Sequence, residues 1–124
     1  MELLQSIIVV DDERSVRNGL VNLLESEGYQ TEAFGSAESL LCDEAAIVNA
    51  ALFIIDVHLK GISGFELFIH LTRRLRKPAG IIISGNGDEN MMRYAINLGA
   101  IAFLSKPVDI DTLFELIRNE FPRR

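Results

Sequence analysis

Short apolar runs alternate with longer amphipathic stretches along the chain. Four of these runs are rich in Ile, Val, Leu and Phe and begin at Ile7, Leu52, Ile81 and Ile101. Such runs predict strands that are buried on both faces of a parallel sheet. A fifth segment, residues 29–34, alternates apolar and polar side chains and predicts a further strand.

The stretches between the runs carry apolar residues at helical spacing. They predict helices over residues 14–27, 37–41, 65–75, 89–98 and 110–121, whereas residues 43–51 show no distinct pattern. Ser36 and Asp88 are candidate N-caps, and Gly28 and Gly99 are placed to end helices. Five strands that alternate with five helices require right-handed crossovers, so the predicted fold class is α/β, a doubly wound five-stranded parallel sheet.

The composition and net charge favour a single-domain protein that binds neither nucleic acid nor membranes directly. The chain has 124 residues, 48% of them apolar, which suits one domain over residues 1–124. Its formal net charge of -6 argues against direct binding to nucleic acid or to an anionic membrane, and no stretch approaches the roughly 18 apolar residues of a membrane helix. The N-terminal residues do not resemble a signal peptide, so we expect a cytoplasmic protein. We also expect the single cysteine, Cys42, to be a small buried apolar residue.

Polar residues with useful chemistry follow four of the predicted strands. They are Asp11 and Asp12, Asp56, Ser84, and Lys106. Taken singly, each could be a helix cap, a turn residue or a surface charge. In a doubly wound sheet, however, the carboxyl ends of the strands form the ligand-binding edge, so these side chains should converge there.

The converging groups predict a site for a cation and a phosphoryl group. Crowded carboxylates usually mark a cation site, and hard oxygen ligands suit Mg²⁺, with Mn²⁺ as an alternative. A lysine ammonium and a hydroxyl beside the cation would stabilise charge on a transferring phosphoryl group. Asp56 would then be the nucleophile that becomes an aspartyl phosphate.

The order of these residues resembles the receiver domain of two-component response regulators. The resemblance spans essentially the whole chain and is strongest to receivers of the nitrogen-fixation regulator type, through residues 10–13, 36–38 and 84–88. It implies a flavodoxin-like fold with strand order 2-1-3-4-5. Many relatives of this type carry a helix-turn-helix output domain after the receiver, which implies a role in transcription regulation.

The resemblance also implies the roles of the acidic residues. Asp56 would accept the phosphoryl group from a sensor histidine kinase or a phosphotransfer protein. Asp12 would bind Mg²⁺ directly, Asp11 would bind it directly or through water, and the backbone carbonyl of His58 would complete the protein ligands. Receivers commonly have a proline four residues after the acceptor; this chain has Lys60 there, which could make the loop more flexible or contact phosphate.

A switch follows from the same resemblance. Lys106 would pair with the phosphoryl oxygens, and its bond to Pro107 would be cis. Ser84 would move to hydrogen-bond the phosphoryl group, and Phe103 would swing into the space that Ser84 leaves. This movement would alter the face formed by the helix at Glu89, the strand at Ile101 and the last helix, with a phosphorylation-dependent homodimer as the expected outcome.

Two other functions remain open from the sequence. A phosphohydrolase with an aspartate nucleophile also places an aspartate after a strand, but such enzymes usually need an acid two residues further on, where this chain has His58. A receiver-like module that binds proteins without phosphorylation would usually have lost one of the acidic residues or the lysine. We therefore expect a phosphoacceptor that takes part in its own phosphorylation and dephosphorylation, and not an enzyme.

Overall fold

The computed structural model describes residues 5–121 and contains one parallel sheet flanked by helices. In chain order the elements are β1 (Ser6–Val10), α1 (Arg14–Ser26), β2 (Thr31–Phe34), α2 (Ala37–Leu41), α3 (Glu44–Asn49), β3 (Ala50–Asp56), α4 (Gly64–Arg74), β4 (Gly80–Ser84), α5 (Glu89–Leu98), β5 (Ala102–Ser105) and α6 (Ile110–Glu120). All strand pairs are parallel, and the strand order is β2-β1-β3-β4-β5. The predicted fold class and strand order are therefore confirmed.

The two faces of the sheet bury two separate apolar clusters, because successive side chains of a strand point to opposite faces. In β1, Ile8 and Val10 face the cluster covered by α2, α3, α4 and α5. Ile7 and Val9 face the cluster covered by α1 and α6. Every residue of β1 and β4 is buried, which explains why the only polar side chains of these strands, Ser6 and Ser84, stand at their ends.

The helix ends follow local sequence signals. Ser36 and Asp88 accept hydrogen bonds from backbone N–H groups of the first turns of α2 and α5, as predicted. Gly28 and Gly99 adopt φ angles of 91° and 109°, a region that disfavours side chains, so they suit the ends of α1 and α5. A capping box at Ser63 begins α4 directly after the loop that follows β3.

Two expectations were wrong in detail. The described residues form six helices and not five, because Glu44–Asn49 makes a short helix α3 that is capped by the Asp43 side chain. That helix buries only Ala46 and Ile47, too few residues for a recognisable stripe. Cys42 is exposed and not buried, since it lies beyond the end of α2. None of the helices in residues 5–121 is long and apolar enough to cross a membrane.

Candidate functional site

The predicted site residues meet at the carboxyl edge of the sheet. Asp11 follows β1, Asp56 and Ser84 are the last residues of β3 and β4, and Lys106 follows β5. The strand register brings these ends together, because Asp56 lies beside Ile83 and Ser84 beside Ser105. The structure thus places residues from four strands around one point, as the topology requires.

Lys106 lies between the two buried carboxylates. Its Nζ is 3.3 Å from Asp11 Oδ2 and 3.3 Å from Asp56 Oδ1, and it is 3.5 Å from Glu13 Oε1 at the exposed rim. Burial lowers the pKa of Lys106, but the carboxylates of Asp11 and Asp56 outweigh burial, so the pKa is raised above its ordinary value. Lys106 therefore stays charged and offers a fixed cation to an incoming anion.

The buried charge of Asp56 is only partly compensated by its neighbours. Its side chain is 5% exposed, and within the described part of the chain its Oδ1 has no hydrogen-bond partner. The contact with Lys106 is an ion pair without hydrogen-bond geometry. Burial raises the pKa of Asp56, the charge of Asp11 raises it further, and Lys106 opposes both. A buried carboxylate oxygen without a donor is suited to bind a cation or to attack an electrophile.

The acidic cluster fits a divalent cation. Oxygen atoms of Asp11, Asp12 and Asp56 lie within 4.8 Å of one another, and one of the carboxylates is the under-compensated Asp56. Carboxylate oxygens on a partly open edge match the preference of Mg²⁺ for hard ligands and retained waters. The cluster is defined by side-chain oxygens alone, so the role of the His58 carbonyl as a ligand stays a prediction.

The loop after β3 is tied to the cluster through its backbone. The N–H of Lys60 donates to Asp12 Oδ2 at 3.3 Å, a hydrogen bond that the proline usual in receivers could not make. The side chain of Lys60 is exposed, and within the described residues no contact joins it to the carboxylates. The presence of Lys60 in place of the usual proline therefore affects the loop through this backbone hydrogen bond.

Three supporting residues were not predicted from the sequence. Arg17 donates from Nη1 to the backbone carbonyl of Asp11 at 2.7 Å. Glu38 accepts the N–H of Ile62 at 3.0 Å, and this hydrogen bond lowers the pKa of Glu38. Gly64 begins α4 against the backbone of Asp56, where a Cβ would lie within 2.9 Å of the Asp56 carbonyl carbon. The only early signal was that Glu38 belongs to one of the stretches that carry the family resemblance.

Ser84 and Phe103 lie next to each other beside the acidic cluster. Ser84 is fully buried, and its Oγ contacts the N–H of Asn86 at 3.1 Å and His58 Nε2 at 3.3 Å. Phe103 is half-buried, and its ring fills the space over Gly87, where a Cβ would lie 2.5 Å from the ring and 3.4 Å from Ser84 Cβ. The Lys106–Pro107 bond is cis, as the resemblance implied.

Comparisons with known proteins agree with this geometry. Residues 7–118 match the family model of the response regulator receiver domain. The chain is 36% identical to the transcriptional regulatory protein FixJ of Azorhizobium caulinodans over 93% of its own length and 54% of that protein. It is 37% identical to nodulation protein W of Bradyrhizobium diazoefficiens over 90% of its own length and 48% of that protein. The chain thus spans about half the length of the curated relatives that it matches.

Solved structures give the same family. The receiver domain of NtrX from Brucella abortus is 30% identical, with a TM-score of 0.83 over 93% of this chain and 97% of that one. A receiver domain protein from Clostridium thermocellum is 28% identical, with a TM-score of 0.86 over 94% of both chains. Family model, sequence relatives and fold agree on one assignment: the chain belongs to the response regulator receiver domain family of two-component systems.

Proposed function

We propose that this receiver accepts a phosphoryl group on Asp56 in a reaction that depends on a divalent cation. The observation that carries the proposal is the buried Asp56 carboxylate, which belongs to a cluster of three carboxylates. Its Oδ1 lies 3.3 Å from the Lys106 ammonium and has no hydrogen bond among residues 5–121. Asp11, Asp12, Asp56 and the His58 carbonyl would hold Mg²⁺, with Mn²⁺ as a chemical equivalent. The cation would neutralise charge on the phosphoryl oxygens.

The donor is a phosphohistidine of a sensor kinase or of a phosphotransfer protein. An Asp56 oxygen attacks phosphorus, a P–O bond forms, and the P–N bond breaks with its electron pair returning to the imidazole of the donor. Lys106 pairs with a phosphoryl oxygen and balances the added negative charge. The chain consumes one phosphoryl group per cycle and takes part in its own phosphorylation and dephosphorylation, so it is a phosphoacceptor and not an enzyme.

Phosphorylation would change the surface formed by α5, β5 and α6, and this surface would bind the output partner. Ser84 would turn toward the phosphoryl group, and Phe103 would move toward the space beside it. Met92 and Ile96, about one turn apart on α5, are 40% and 47% exposed, which provides apolar area for a second copy of the chain. Light scattering should therefore detect a homodimer after phosphorylation, and an unchanged mass would refute this part of the proposal.

The relatives supply the wider context. FixJ and its neighbours are named as transcriptional regulators, so a role in transcription regulation through a further domain or a partner fits this chain. With a net charge of -6, the segment itself would leave DNA contact to such a domain. A cytoplasmic location is consistent with a kinase donor. The module that binds proteins without phosphorylation is disfavoured, because Asp11, Asp12, Asp56 and Lys106 are all present and adjacent.

Intact-protein mass spectrometry tests the proposal directly. The chain is incubated with acetyl phosphate and Mg²⁺, in parallel with Asp56→Asn, with a sample in EDTA, and with Asp43→Asn as a matched control. Asn caps a helix as well as Asp does, so the control keeps α3 while removing a distant carboxylate. We expect one labile phosphoryl adduct that requires Asp56 and the metal and is unchanged in the control. An adduct that survives Asp56→Asn would place the acceptor elsewhere.

A further inference from the structure

The hydroxyl of Ser84 already has partners in the unphosphorylated protein. Ser84 is fully buried at the end of β4. Its Oγ accepts the N–H of Asn86 at 3.1 Å and lies 3.3 Å from Nε2 of His58. Both partners come from loops at the carboxyl edge of the sheet, one after β3 and one after β4. The group that the switch needs is thus engaged before any phosphoryl group arrives.

Both partners bind the same hydroxyl of Ser84. A hydroxyl oxygen has two acceptor lone pairs and one proton, so Ser84 Oγ can accept the N–H of Asn86 and also share a hydrogen bond with Nε2 of His58, whose direction depends on the imidazole tautomer. In either direction the hydrogen bond holds Ser84 Oγ toward His58.

We infer that His58 is a positioning residue that competes with the phosphoryl group for the Ser84 hydroxyl. The inference rests on the proposed function of Asp56. A phosphoryl oxygen on Asp56 accepts a hydrogen bond from Ser84 only after the hydroxyl leaves Nε2 of His58. His58 therefore stabilises the unphosphorylated arrangement, and the side chain at this position sets how readily the switch turns.

The competition has consequences beyond Ser84. A Cβ on Gly87 would meet both the Phe103 ring and the Ser84 side chain, so these three residues share one confined space. A Ser84 side chain held toward His58 leaves Phe103 in its present place over Gly87. His58 thus acts on the output face through Ser84, and within the described residues its side chain has no hydrogen bond to α5.

A double-mutant cycle tests the inference with beryllofluoride, a tetrahedral fluoride that can stand in for a phosphoryl group on a carboxylate. Binding to the chain is measured by calorimetry at saturating Mg²⁺. We expect His58→Leu to tighten binding by about 2- to 12-fold, the range that one hydrogen bond typically contributes. In a Ser84→Ala background the same substitution should have no effect. His58→Gln, whose amide can donate or accept a hydrogen bond at a similar reach, should restore the affinity toward that of the wild type.

Two controls make the result unambiguous. His70→Leu removes the other histidine, which lies half-buried on α4 away from the site, and should leave the affinity unchanged. Circular dichroism melting verifies that each variant folds. The inference is overturned if His58→Leu leaves the affinity unchanged or weakens it. It is also overturned if His58→Leu has the same effect in the Ser84→Ala background as in the wild type. Failure of the wild type to bind beryllofluoride with Mg²⁺ overturns the proposed function of Asp56 instead, so the two failures are distinguishable.

Discussion

Removal of the Lys106 charge gives the most direct test of the electrostatics of the site. Lys106 Nζ lies 3.3 Å from both Asp11 and Asp56, whose side chains are 4% and 5% exposed. Lys106→Met keeps much of the apolar stem but leaves two buried carboxylates facing each other without their shared cation. We therefore expect the variant to lose free energy of unfolding in the absence of divalent cations.

The magnitude follows from distance and burial. At 3.3 Å and an effective dielectric constant of about 20, each ion pair contributes roughly 5 kcal/mol of attraction, most of which offsets the cost of desolvation. Loss of one partner of a buried pair typically costs about 3–5 kcal/mol. Lys106 is 22% exposed, and Asp56 can take up a proton once the cation is gone, so we expect a loss of about 2–4 kcal/mol at neutral pH. The contact with Glu13, which is 63% exposed, adds little.

Urea unfolding followed by circular dichroism measures this loss, because the chain has no tryptophan for fluorescence. Measurements in EDTA and in Mg²⁺ are compared, and the loss should shrink in Mg²⁺, since a bound cation neutralises the same carboxylates. Lys60→Met is the matched control: it keeps the backbone N–H that contacts Asp12, and its exposed side chain should matter by less than about 0.5 kcal/mol. If Lys106→Met in EDTA cost no more than this control, the ion pairs would not hold the site together and the reasoning would fail.

Three further predictions concern single residues. Asp56→Asn should stabilise the metal-free protein, because burial raises the pKa of Asp56. The protonated Asp56 carboxyl favours the folded state at acid pH, and this contribution is lost as the pH rises through the raised pKa. The gain in free energy of unfolding of Asp56→Asn over the wild type should therefore grow with pH in urea unfolding. Glu38→Gln should lower the melting temperature at neutral pH; the hydrogen bond from Ile62 lowers the pKa of Glu38, so the difference should vanish as the pH falls below the ordinary value of 4.5 and through the lowered one. Gly64→Ala should cost about 1–3 kcal/mol and slow phosphorylation by acetyl phosphate, whereas Gly19→Ala, with open space in α1, should stabilise by about 0.5–1 kcal/mol; equal effects of the two glycine substitutions would contradict the predicted clash.

Much of the fold was predictable because the local signals agree with one another. The buried strands are nearly uninterrupted apolar runs, and the caps at Ser36 and Asp88 use side chains whose hydrogen bonds are local. Helix α3 was missed because six residues make fewer than two turns and cannot show a periodic stripe. Cys42 was placed wrongly because average burial of cysteine was applied to a residue just beyond the end of a helix.

The position of the site was predictable for a different reason. Topology alone sends the residues after parallel strands to one edge, so Asp11, Asp56 and Lys106 could be grouped without knowledge of any distance. The support from Arg17 was not predictable, because its guanidinium binds a main-chain carbonyl, and every residue offers one. The contact of His58 with Ser84 likewise depends on the course of the loop after β3, which carries no periodic signal.

The supporting contacts bind the backbone of the site and leave one oxygen of Asp56 without a hydrogen bond in the described part of the chain. Arg17 binds the main-chain carbonyl of Asp11 and not its carboxylate, and the N–H of Gly64 donates to the carbonyl of Val57, directly after Asp56. Neither contact occupies Oδ1 of Asp56, which keeps no hydrogen bond within the described residues. A carboxylate fixed in this way meets a cation or a phosphoryl group without first breaking a hydrogen bond. The incompletely bonded Asp56 carboxylate destabilises the fold, and the hydrogen bonds made by Arg17 and Gly64 offset this cost. Substitutions that weaken these hydrogen bonds should therefore impair phosphorylation before they unfold the domain.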